Sequence, residues 1–295
     1  HYLLAERKTV VTRKYWDIGA ETTSPEKKPT KNFERLDFYK ERLYGLMENA
    51  VQKRMISDVQ LGAFLSGGID SSIIVGLMAR NSERPVKTFS IGYKDMPLFD
   101  ETKYAREVSR FNKTEHYEFK LNHKDVLDIF PDVLGTLDEP FADSSAVPTY
   151  IVSRETKQHV TVALAGDGAD ELFAGYRMYQ GEYMAKYFSI LPRIIKEGII
   201  GPFTNFLPDS RDKKYSEYMR RFKKFTKGMS GSLAERFYGW QEIFPSNTRQ
   251  RLIKNYLQDK ISFREGKEII SQRLNEFAGD NINRMLYVDV KNSLP

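Results

Sequence analysis

The stretch from Ala63 to Ser72, Ala-Phe-Leu-Ser-Gly-Gly-Ile-Asp-Ser-Ser, is the feature that most constrains how this chain can fold. The apolar segment that begins at Val59 predicts a buried parallel strand before it, and the apolar run from Ile73 predicts a helix after it. A strand, a tight glycine turn and a helix N-terminus form a site for an anion, because the first backbone N–H groups of the helix point outward. The sequence therefore predicts an anion-binding turn here.

The residue types of this turn favour phosphate groups. We expect Gly67 and Gly68 to let the backbone approach an oxyanion closely and to adopt positive φ. No lysine follows these glycines, so the turn is not a Walker loop. A plain strand–turn–helix corner would need only the glycines, whereas this turn also carries Asp70 and three hydroxyl donors. Those donors are Ser66, Ser71 and Ser72.

Strands alternate with helices through the first 180 residues. We expect further strands at 86–93, 116–119 and 160–164, and helices at 33–55, 100–111, 125–134 and 149–158. This alternation predicts an α/β fold, a parallel twisted sheet with flanking helices. From about Tyr176 onward aromatic and basic residues recur at helical spacing, which predicts an α-helical extension. We therefore expect a tail and linker at 1–32, an α/β core at 33–180 and a helical extension at 181–295.

Composition excludes several classes of protein. No apolar run is long enough to span a membrane. The chain has no cysteine, so it cannot form disulfides, thiolate metal sites or a cysteine nucleophile, and its four histidines are scattered. The net charge of +6 is concentrated near residues 213–224, beside acids and aromatics, which favours a solvated helix face over nucleic-acid binding. We expect a cytoplasmic protein that binds neither nucleic acid nor membrane.

A second glycine loop, Ala-Gly-Asp-Gly-Ala-Asp-Glu at Ala165–Glu171, follows the last predicted strand. Ligands of parallel sheets bind outside the carboxyl ends of the strands, near a switch point in strand order, so both loops should line one crevice. Asp70 and Asp170 could then hold Mg²⁺, which prefers one or two carboxylates plus phosphate oxygens. The alternative is that Asp170 is only the N-cap of the next helix.

A third stretch, residues 138–150, has the sequence Asp-Glu-Pro-Phe-Ala-Asp-Ser-Ser-Ala-Val-Pro-Thr-Tyr. Such a polar loop is usually only solvated. Its place before the fourth strand of the core brings it near the predicted crevice, where it could shape an amino-acid pocket.

These stretches occur in an order that resembles one family. The pattern Ser-Gly-Gly-Ile-Asp-Ser resembles the pyrophosphate loop of ATP pyrophosphatases, and it is followed by Thr-Phe-Ser-Ile-Gly, the polar loop and Ala-Gly-Asp-Gly-Ala-Asp-Glu-Leu-Phe-Ala-Gly-Tyr. Together they resemble the synthetase domain of glutamine-hydrolysing asparagine synthetases, specifically over residues 33–179 and more weakly to the end. The first 18 residues resemble the end of a preceding glutaminase domain, so we expect a chain that is incomplete at both ends.

The resemblance implies a fold like that of the adenine nucleotide alpha hydrolases and a two-step reaction. ATP adenylates the side-chain carboxylate of aspartate, and ammonia delivered from glutamine then attacks β-aspartyl-AMP, so that asparagine, AMP and pyrophosphate leave. Asp70, Asp167 and Asp170 would be catalytic, with Asp70 and Asp170 holding Mg²⁺ and Asp167 near the reacting carboxylate. The pyrophosphate would lie on Ser66, Gly67, Gly68, Asp70, Ser71 and Ser72, and the adenosine on Phe64, Ile91, Ala165 and Gly166.

This sequence departs from the family pattern at two positions. Ala165 stands where several members have serine, which removes one hydroxyl contact. Asp167 stands where many have glutamate, so its carboxylate reaches less far. Neither change breaks the loop pattern.

The resemblance also bears on partners. The family hydrolyses glutamine with an N-terminal cysteine nucleophile, so ammonia would come from a glutaminase domain absent from this chain. The family segment that follows a Leu-Pro pair such as Leu294-Pro295, with its lysine and arginines near the pyrophosphate, is likewise absent. The resemblance also allows a homodimer. Two alternatives stay open: a related amidotransferase or β-lactam synthetase-like cyclase that acts on another carboxylate, and a non-catalytic nucleotide-binding protein.

Overall fold

The elements follow one another in the alternation that the sequence predicts. The computed structural model describes residues 1–6, 9–18, 32–95, 100–139, 143–190, 192, 203, 214–229, 231–243, 248, 251–252 and 266–292. Up to residue 167 the elements are β1 (Tyr2–Glu6), β2 (Thr9–Arg13), α1 (Asn32–Met55), β3 (Leu61–Phe64), α2 (Ile69–Arg80), β4 (Lys87–Tyr93), α3 (Thr102–Asn112), β5 (Glu115–Leu121), α4 (His123–Gly135), α5 (Ala146–Thr156) and β6 (Val162–Leu164).

After residue 167 the described residues form helices and no strand, in agreement with the expected helical extension. These helices are α6 (Ala169–Phe173), α7 (Arg177–Ser189), α8 (Lys214–Gly228), α9 (Leu233–Gln241), α10 (Gly266–Glu276) and α11 (Asn281–Asn292). Residues 19–31 of the expected tail and linker lie outside the described residues, as do residues 96–99 and 140–142 and Leu294-Pro295.

The chain divides into two compact units. The sheet unit comprises residues 26–167, and the helical unit comprises residues 168–295 together with residues 1–25. The domain boundaries expected near residues 32 and 180 remain predictions.

A four-stranded parallel sheet lies at the centre of the sheet unit, with the strand order β5-β4-β3-β6. The chain first adds β4 and β5 on one side of β3 and then returns to place β6 on the other side. The order of the strands therefore reverses between β3 and β6, which is the switch point at which ligands of such sheets bind.

Helices cover both faces of this sheet. Successive side chains of a strand point to opposite faces, so each strand can contribute to an apolar core on either side. On one face α1, α2 and α3 enclose an apolar core that includes Val51, Ala63, Val75 and Ala105. On the other face α4 and α5 enclose a second core around Ile129, Val133, Val147 and Ile151. This arrangement confirms the predicted α/β class.

A chain of hydroxyl groups lies between β4, β5 and α3 and encloses one imidazole. The His116 Nδ1 atom lies 2.9 Å from Thr88 Oγ1, and its Nε2 atom lies 3.2 Å from Ser90 Oγ. Thr88 Oγ1 also lies 2.9 Å from Thr114 Oγ1. Burial lowers the pKa of His116, opposed by the charge of the nearby Glu118 carboxylate. Burial therefore favours the neutral imidazole.

The helical unit has its own core and one buried ion pair. Tyr179, Phe237, Leu274 and Met285 are among the residues that pack together. The Arg236 guanidinium donates to both carboxylate oxygens of Glu182, at 2.8 and 2.6 Å. Asn281 Nδ2 donates to the same carboxylate at 2.7 Å, so this buried charge is well satisfied. None of the described helices combines the length and the apolar character that a membrane crossing requires.

We expect the stability of the sheet unit to depend on the protonation of His116. Because the folded pKa lies below the ordinary value of 6.5, the unfolded chain binds more protons as the pH falls, and the free energy of unfolding should decrease from pH 7 towards pH 5. Urea unfolding at several pH values measures this slope, which His116→Asn should reduce. His123→Asn, at an exposed histidine beside Asp95, is the control and should keep the slope. An identical slope in the His116 variant would contradict the prediction.

Candidate active site

The two glycine loops leave adjacent strands at the same edge of the sheet. β3 and β6 pair directly, with Gly62 opposite Ala163 and Ala63 opposite Leu164. The loop that begins at Leu65 and the loop that begins at Ala165 therefore start side by side at the switch point. This confirms the expectation that both loops follow strand ends near a switch point, and the direct pairing of the two strands is a finding of the structure.

The second loop packs directly on the first. A Cβ atom at Gly166 would lie 2.9 Å from the backbone nitrogen of Ser71 and 3.0 Å from the carbonyl carbon of Asp70. Both of those atoms belong to the first turn of α2, so only a residue without a side chain fits between the loop and the helix. The approach fixes Ala165 and Gly166 beside the N-terminus of α2.

The glycine turn gives its two glycines different roles. Gly67 adopts φ +82°, and a Cβ atom there would lie 2.6 Å from the backbone nitrogen of Ala105 and 2.6 Å from Tyr104 Cβ on α3. Gly68 is the N-cap of α2 with φ −68°, so the expectation of positive φ was wrong for this residue. Of the two glycines, only Gly67 packs against α3 and only Gly67 adopts the left-handed conformation. This single reversal of the backbone direction is enough to lead the chain from β3 into α2.

The three serines of the turn hydrogen-bond within it. Ser66 Oγ accepts from the Gly68 N–H at 3.1 Å and lies 3.0 Å from Ser71 Oγ. Ser71 Oγ accepts from the Ser66 N–H at 3.2 Å and lies 3.3 Å from the Gly68 carbonyl oxygen. Ser72 Oγ donates to that same carbonyl at 2.6 Å. The buried Ser71 and the half-buried Ser72 therefore shape the turn.

A count of the hydroxyl protons shows which serine can reach a ligand. The Gly68 carbonyl already accepts from both the hydroxyl and the N–H of Ser72. The shorter contact of Ser71 is with Ser66 Oγ, and either hydroxyl can donate along it. When Ser71 donates, the hydroxyl proton of the exposed Ser66 is free for a ligand. Gly68 has no side chain to cap α2, so the first N–H groups of that helix also lack a side-chain cap.

The residues expected to contact adenosine share one part of the sheet. Phe64 ends β3 and is paired with Phe89, so its side chain points to the same face as those of Phe89 and Ile91. Phe64 and Ile91 are half-buried, whereas Phe89 between them is fully enclosed. Their contact with a nucleotide stays a prediction.

The three aspartates expected to be catalytic lie on different elements. Asp70 is a half-buried residue in the first turn of α2, and Asp167 is exposed at the end of the second loop. Asp170 is the second residue of α6, whose N-cap is Gly168, so the alternative that Asp170 is only an N-cap is wrong. Asp170 belongs to the helical unit and Asp70 to the sheet unit, and their joint binding of one metal ion stays a prediction.

Sequence reasoning did not single out a group beside Asp170, formed by two buried acids and the tyrosines that donate to them. Glu171 is buried; its Oε1 atom accepts from the Tyr176 hydroxyl at 2.8 Å, and its Oε2 atom has no hydrogen-bond partner among the described residues. Tyr179 donates to Asp289 on α11, which also accepts from Gln241 at 3.2 Å. Asp289 carried a signal, because it lies one helical turn after Met285 and next to Val288, both of which are buried and apolar.

Burial governs the protonation of this group. Burial raises the pKa of Asp289 to about 6, and the negative charge of Glu171 adds to this rise. The hydrogen bonds from Tyr179 and Gln241 oppose it. Burial and the bonds to carboxylates raise the pKa of Tyr176 and Tyr179, so both phenols stay protonated as donors.

The residue types of the two candidate ligands fit a magnesium ion that arrives with phosphate. Both candidate ligands are aspartates, and carboxylate oxygens suit this hard cation. Among the described residues no three histidines, aspartates or glutamates form a group that could hold a metal ion by themselves. Mg²⁺ commonly uses one or two carboxylates and takes its remaining ligands from water and substrate phosphates, so two aspartates are sufficient.

A small cavity of about 170 Å³ lies at the same edge of the sheet, beyond β4 and β5. Tyr93, Asp95, Leu121 and His123 are among its lining residues. Binding pockets for small molecules usually exceed about 300 Å³, so this cavity is too small for a nucleotide. The switch point between β3 and β6 remains the better candidate.

The family-model comparison decides the family. The model described as asparagine synthase matches residues 42–295, which include both glycine loops and the helical unit from α6 onward. The chain belongs to the asparagine synthase family. This match confirms the family resemblance that the sequence motifs indicated.

Curated relatives agree with this assignment. Asparagine synthetase [glutamine-hydrolyzing] 1 from Bacillus subtilis is 33% identical over 242 residues, covering 82% of this chain and 36% of that protein. Putative asparagine synthetase [glutamine-hydrolyzing] 2 from Methanocaldococcus jannaschii is 38% identical over 183 residues, 62% of this chain and 33% of that protein. The chain thus spans about a third of the length of these relatives.

One comparison with solved structures gives a weak structural match. It is the NH3-dependent NAD synthetase from Campylobacter jejuni, with 15% identity and a TM-score of 0.33 over 65% of this chain and 98% of that one. A likeness at this level adds nothing to the comparison of folds.

We expect the two glycines of the turn to respond differently to substitution. Gly67→Ala should lower the free energy of unfolding by about 1–2 kcal/mol or more, because it puts an L-residue at positive φ against the backbone of α3. Gly68→Ala is the control, with φ −68° and only Ser66 Oγ near its Cβ, at 3.2 Å. Urea unfolding measures both, and equal losses would contradict the assignment of strain to Gly67.

Gly68→Val should fold and yet lose ATP binding. Its φ suits a β-branched residue, and apart from Ser66 Oγ no heavy atom among the described residues lies within 4 Å of its Cβ position, counting neither its own chain neighbours nor α2 itself. The branched side chain would instead occupy the space expected for the pyrophosphate. Calorimetric titration with ATP and Mg²⁺ tests this, and unchanged affinity would mean that phosphate binds elsewhere.

Proposed function

We propose that this chain carries the ligase site of an asparagine synthetase. In this proposal it binds ATP, Mg²⁺ and aspartate, activates the side-chain carboxylate as an adenylate, and forms asparagine with ammonia. The observation that supports it most is that two glycine loops meet at the switch point of a parallel sheet in a member of the asparagine synthase family. The chain spans only about a third of the relatives named asparagine synthetase, so activity and substrates are proposed here.

The phosphates would lie over the glycine turn. There the Ser66 hydroxyl, with Ser71 donating to it, and the uncapped N–H groups of α2 would present donors to negative charge. The adenosine would lie along Phe64 and Ile91 with the backbone of Ala165 and Gly166 beside it. Ser71 and Ser72 would act indirectly, since their hydroxyls hold the turn in shape.

Mg²⁺ would be held by Asp70 and Asp170 together with phosphate oxygens. When bound, it supplies positive charge that stabilises the departing pyrophosphate.

The reaction would proceed in two displacements. An oxygen of the aspartate side chain attacks the α phosphorus of ATP, and the bond from that phosphorus to pyrophosphate breaks. Ammonia then attacks the carbonyl carbon of the adenylate, the bond to AMP breaks, and the nitrogen gives up a proton. Asp167, exposed at the end of the second loop, is assigned to orient the reacting carboxylate and to accept that proton.

The experiment measures exchange of labelled pyrophosphate into ATP by the protein in its full natural length. Exchange should require Mg²⁺ and aspartate, and Asp70→Asn should lower it about 100-fold or more while the folding transition is kept. The matched control is Asp58→Asn, an exposed aspartate before β3 at the opposite end of that strand. Near-normal exchange in Asp70→Asn would contradict the metal assignment. Exchange with another acid but not with aspartate would favour a related amidotransferase or cyclase.

The source of nitrogen gives a separate test. The 295 residues contain no cysteine, so they cannot supply the thiol with which glutamine would be hydrolysed in the family. We expect this chain alone to form no asparagine from glutamine, and any synthesis to depend on ammonia. Incubation with aspartate, ATP, Mg²⁺ and either nitrogen source, followed by measurement of asparagine and AMP, checks this expectation. Asparagine formed from glutamine would overturn it.

A further inference from the structure

The short helix α6 carries Asp170 between two left-handed residues. Its N-cap, Gly168, has φ +87°, and its C-cap, Ala174, has φ +59°. Ala174 is one of few described residues other than glycine with positive φ, a conformation that persists only where the surroundings enforce it. The left-handed turn at Ala174 reverses the chain directly after α6.

This reversal returns the backbone to Asp170. The Gly175 N–H donates to the Asp170 carbonyl oxygen at 3.1 Å. A Cβ atom at Gly175 would overlap Asp170 Oδ1 and would lie 2.8 Å from its Cγ atom. The carboxylate therefore lies against the bare Cα of Gly175, and only a glycine leaves it that place.

The residue that follows Asp170 on α6 is held to the start of α7. Glu171, the next residue, is buried and accepts from the Tyr176 hydroxyl, whose ring stacks at 6.1 Å on that of Tyr179. Tyr179 in turn donates to Asp289 on α11. With Glu171 held in this way, α6 cannot rotate freely to move Asp170 away from Gly175.

We propose that Gly175 is a positioning residue that sets the direction of the Asp170 carboxylate and so prepares it to bind Mg²⁺. This inference rests on the proposed function, in which Asp170 is a metal ligand. Gly175 itself offers no side chain to the metal or to the substrate. Its contribution is the space that it leaves, since any side chain there would turn the carboxylate to another rotamer.

The test compares metal dependence with folding. In the full-length protein, Gly175→Ala should raise the Mg²⁺ concentration that half-saturates ATP binding, measured by calorimetry, by about 10–100-fold, the usual cost of losing a group that orients a metal ligand. Pyrophosphate exchange should recover at high Mg²⁺, because the ligand is misdirected and not removed. Gly175 is exposed, so the variant should keep its unfolding transition measured without ATP and Mg²⁺.

Two further glycine and alanine variants serve as controls. Gly181→Ala on α7 places a Cβ atom 3.2 Å from the ring of Trp240, away from Asp170, and should leave the Mg²⁺ dependence unchanged. Ala174→Gly keeps the left-handed turn without its strain and should raise the unfolding midpoint with no change in Mg²⁺ dependence. A shift of Mg²⁺ dependence in either control equal to that of Gly175→Ala would overturn the inference.

A double-mutant cycle separates positioning from a general loss of structure. In an Asp170→Ala background no carboxylate remains to be displaced, so adding Gly175→Ala should raise the Mg²⁺ requirement no further. Independent, additive effects would contradict the inference, and so would a change in Asp170→Ala with none in Gly175→Ala. If Asp170→Ala itself leaves the Mg²⁺ dependence unchanged, the proposed metal role of Asp170 fails and the inference fails with it.

Discussion

The pairing of β3 with β6 is the constraint on which the candidate site depends. It joins strands that are about 100 residues apart in sequence, and it starts both glycine loops at the same edge of the sheet. The close approach of Gly166 to the backbone of Ser71 then locks the second loop onto α2. Without this pairing the two loops would be separate turns with no shared crevice. The two motifs would then not lie together in one site.

Much of the sheet unit could be predicted, because alternating apolar periodicity and glycine turns are local properties of the sequence. The boundaries differed where partners decide them. β6 forms only at Val162–Leu164, since the short β3 offers few residues for pairing, and α5 begins at Ala146 because Pro148 is tolerated in a first helical turn. The hairpin partner β1 was missed because Tyr2–Glu6 lacks a clear alternation of apolar and polar residues.

The site was predictable in its residue types and less so in its geometry. The sequence presents Gly67 and Gly68 as equivalent, and the contact with α3 is what requires positive φ at one of them. The bond between Tyr179 and Asp289 joins residues 110 positions apart, so no local pattern could reveal it. The residues that contact nucleotide and metal remain predictions, as does the cytoplasmic location.

The contact of Gly67 with α3 has a consequence for how sequence changes would be interpreted. The turn expected to hold phosphate is shaped from behind by the backbone at Tyr104 and Ala105, which are not expected to touch a nucleotide. Ala105 is fully buried, so a larger side chain there would push α3 outward and release the turn. In a screen for lost nucleotide affinity, substitutions of Ala105 would resemble those of a residue that contacts the nucleotide. Their effect would instead come from a changed conformation of the turn beneath the ligand.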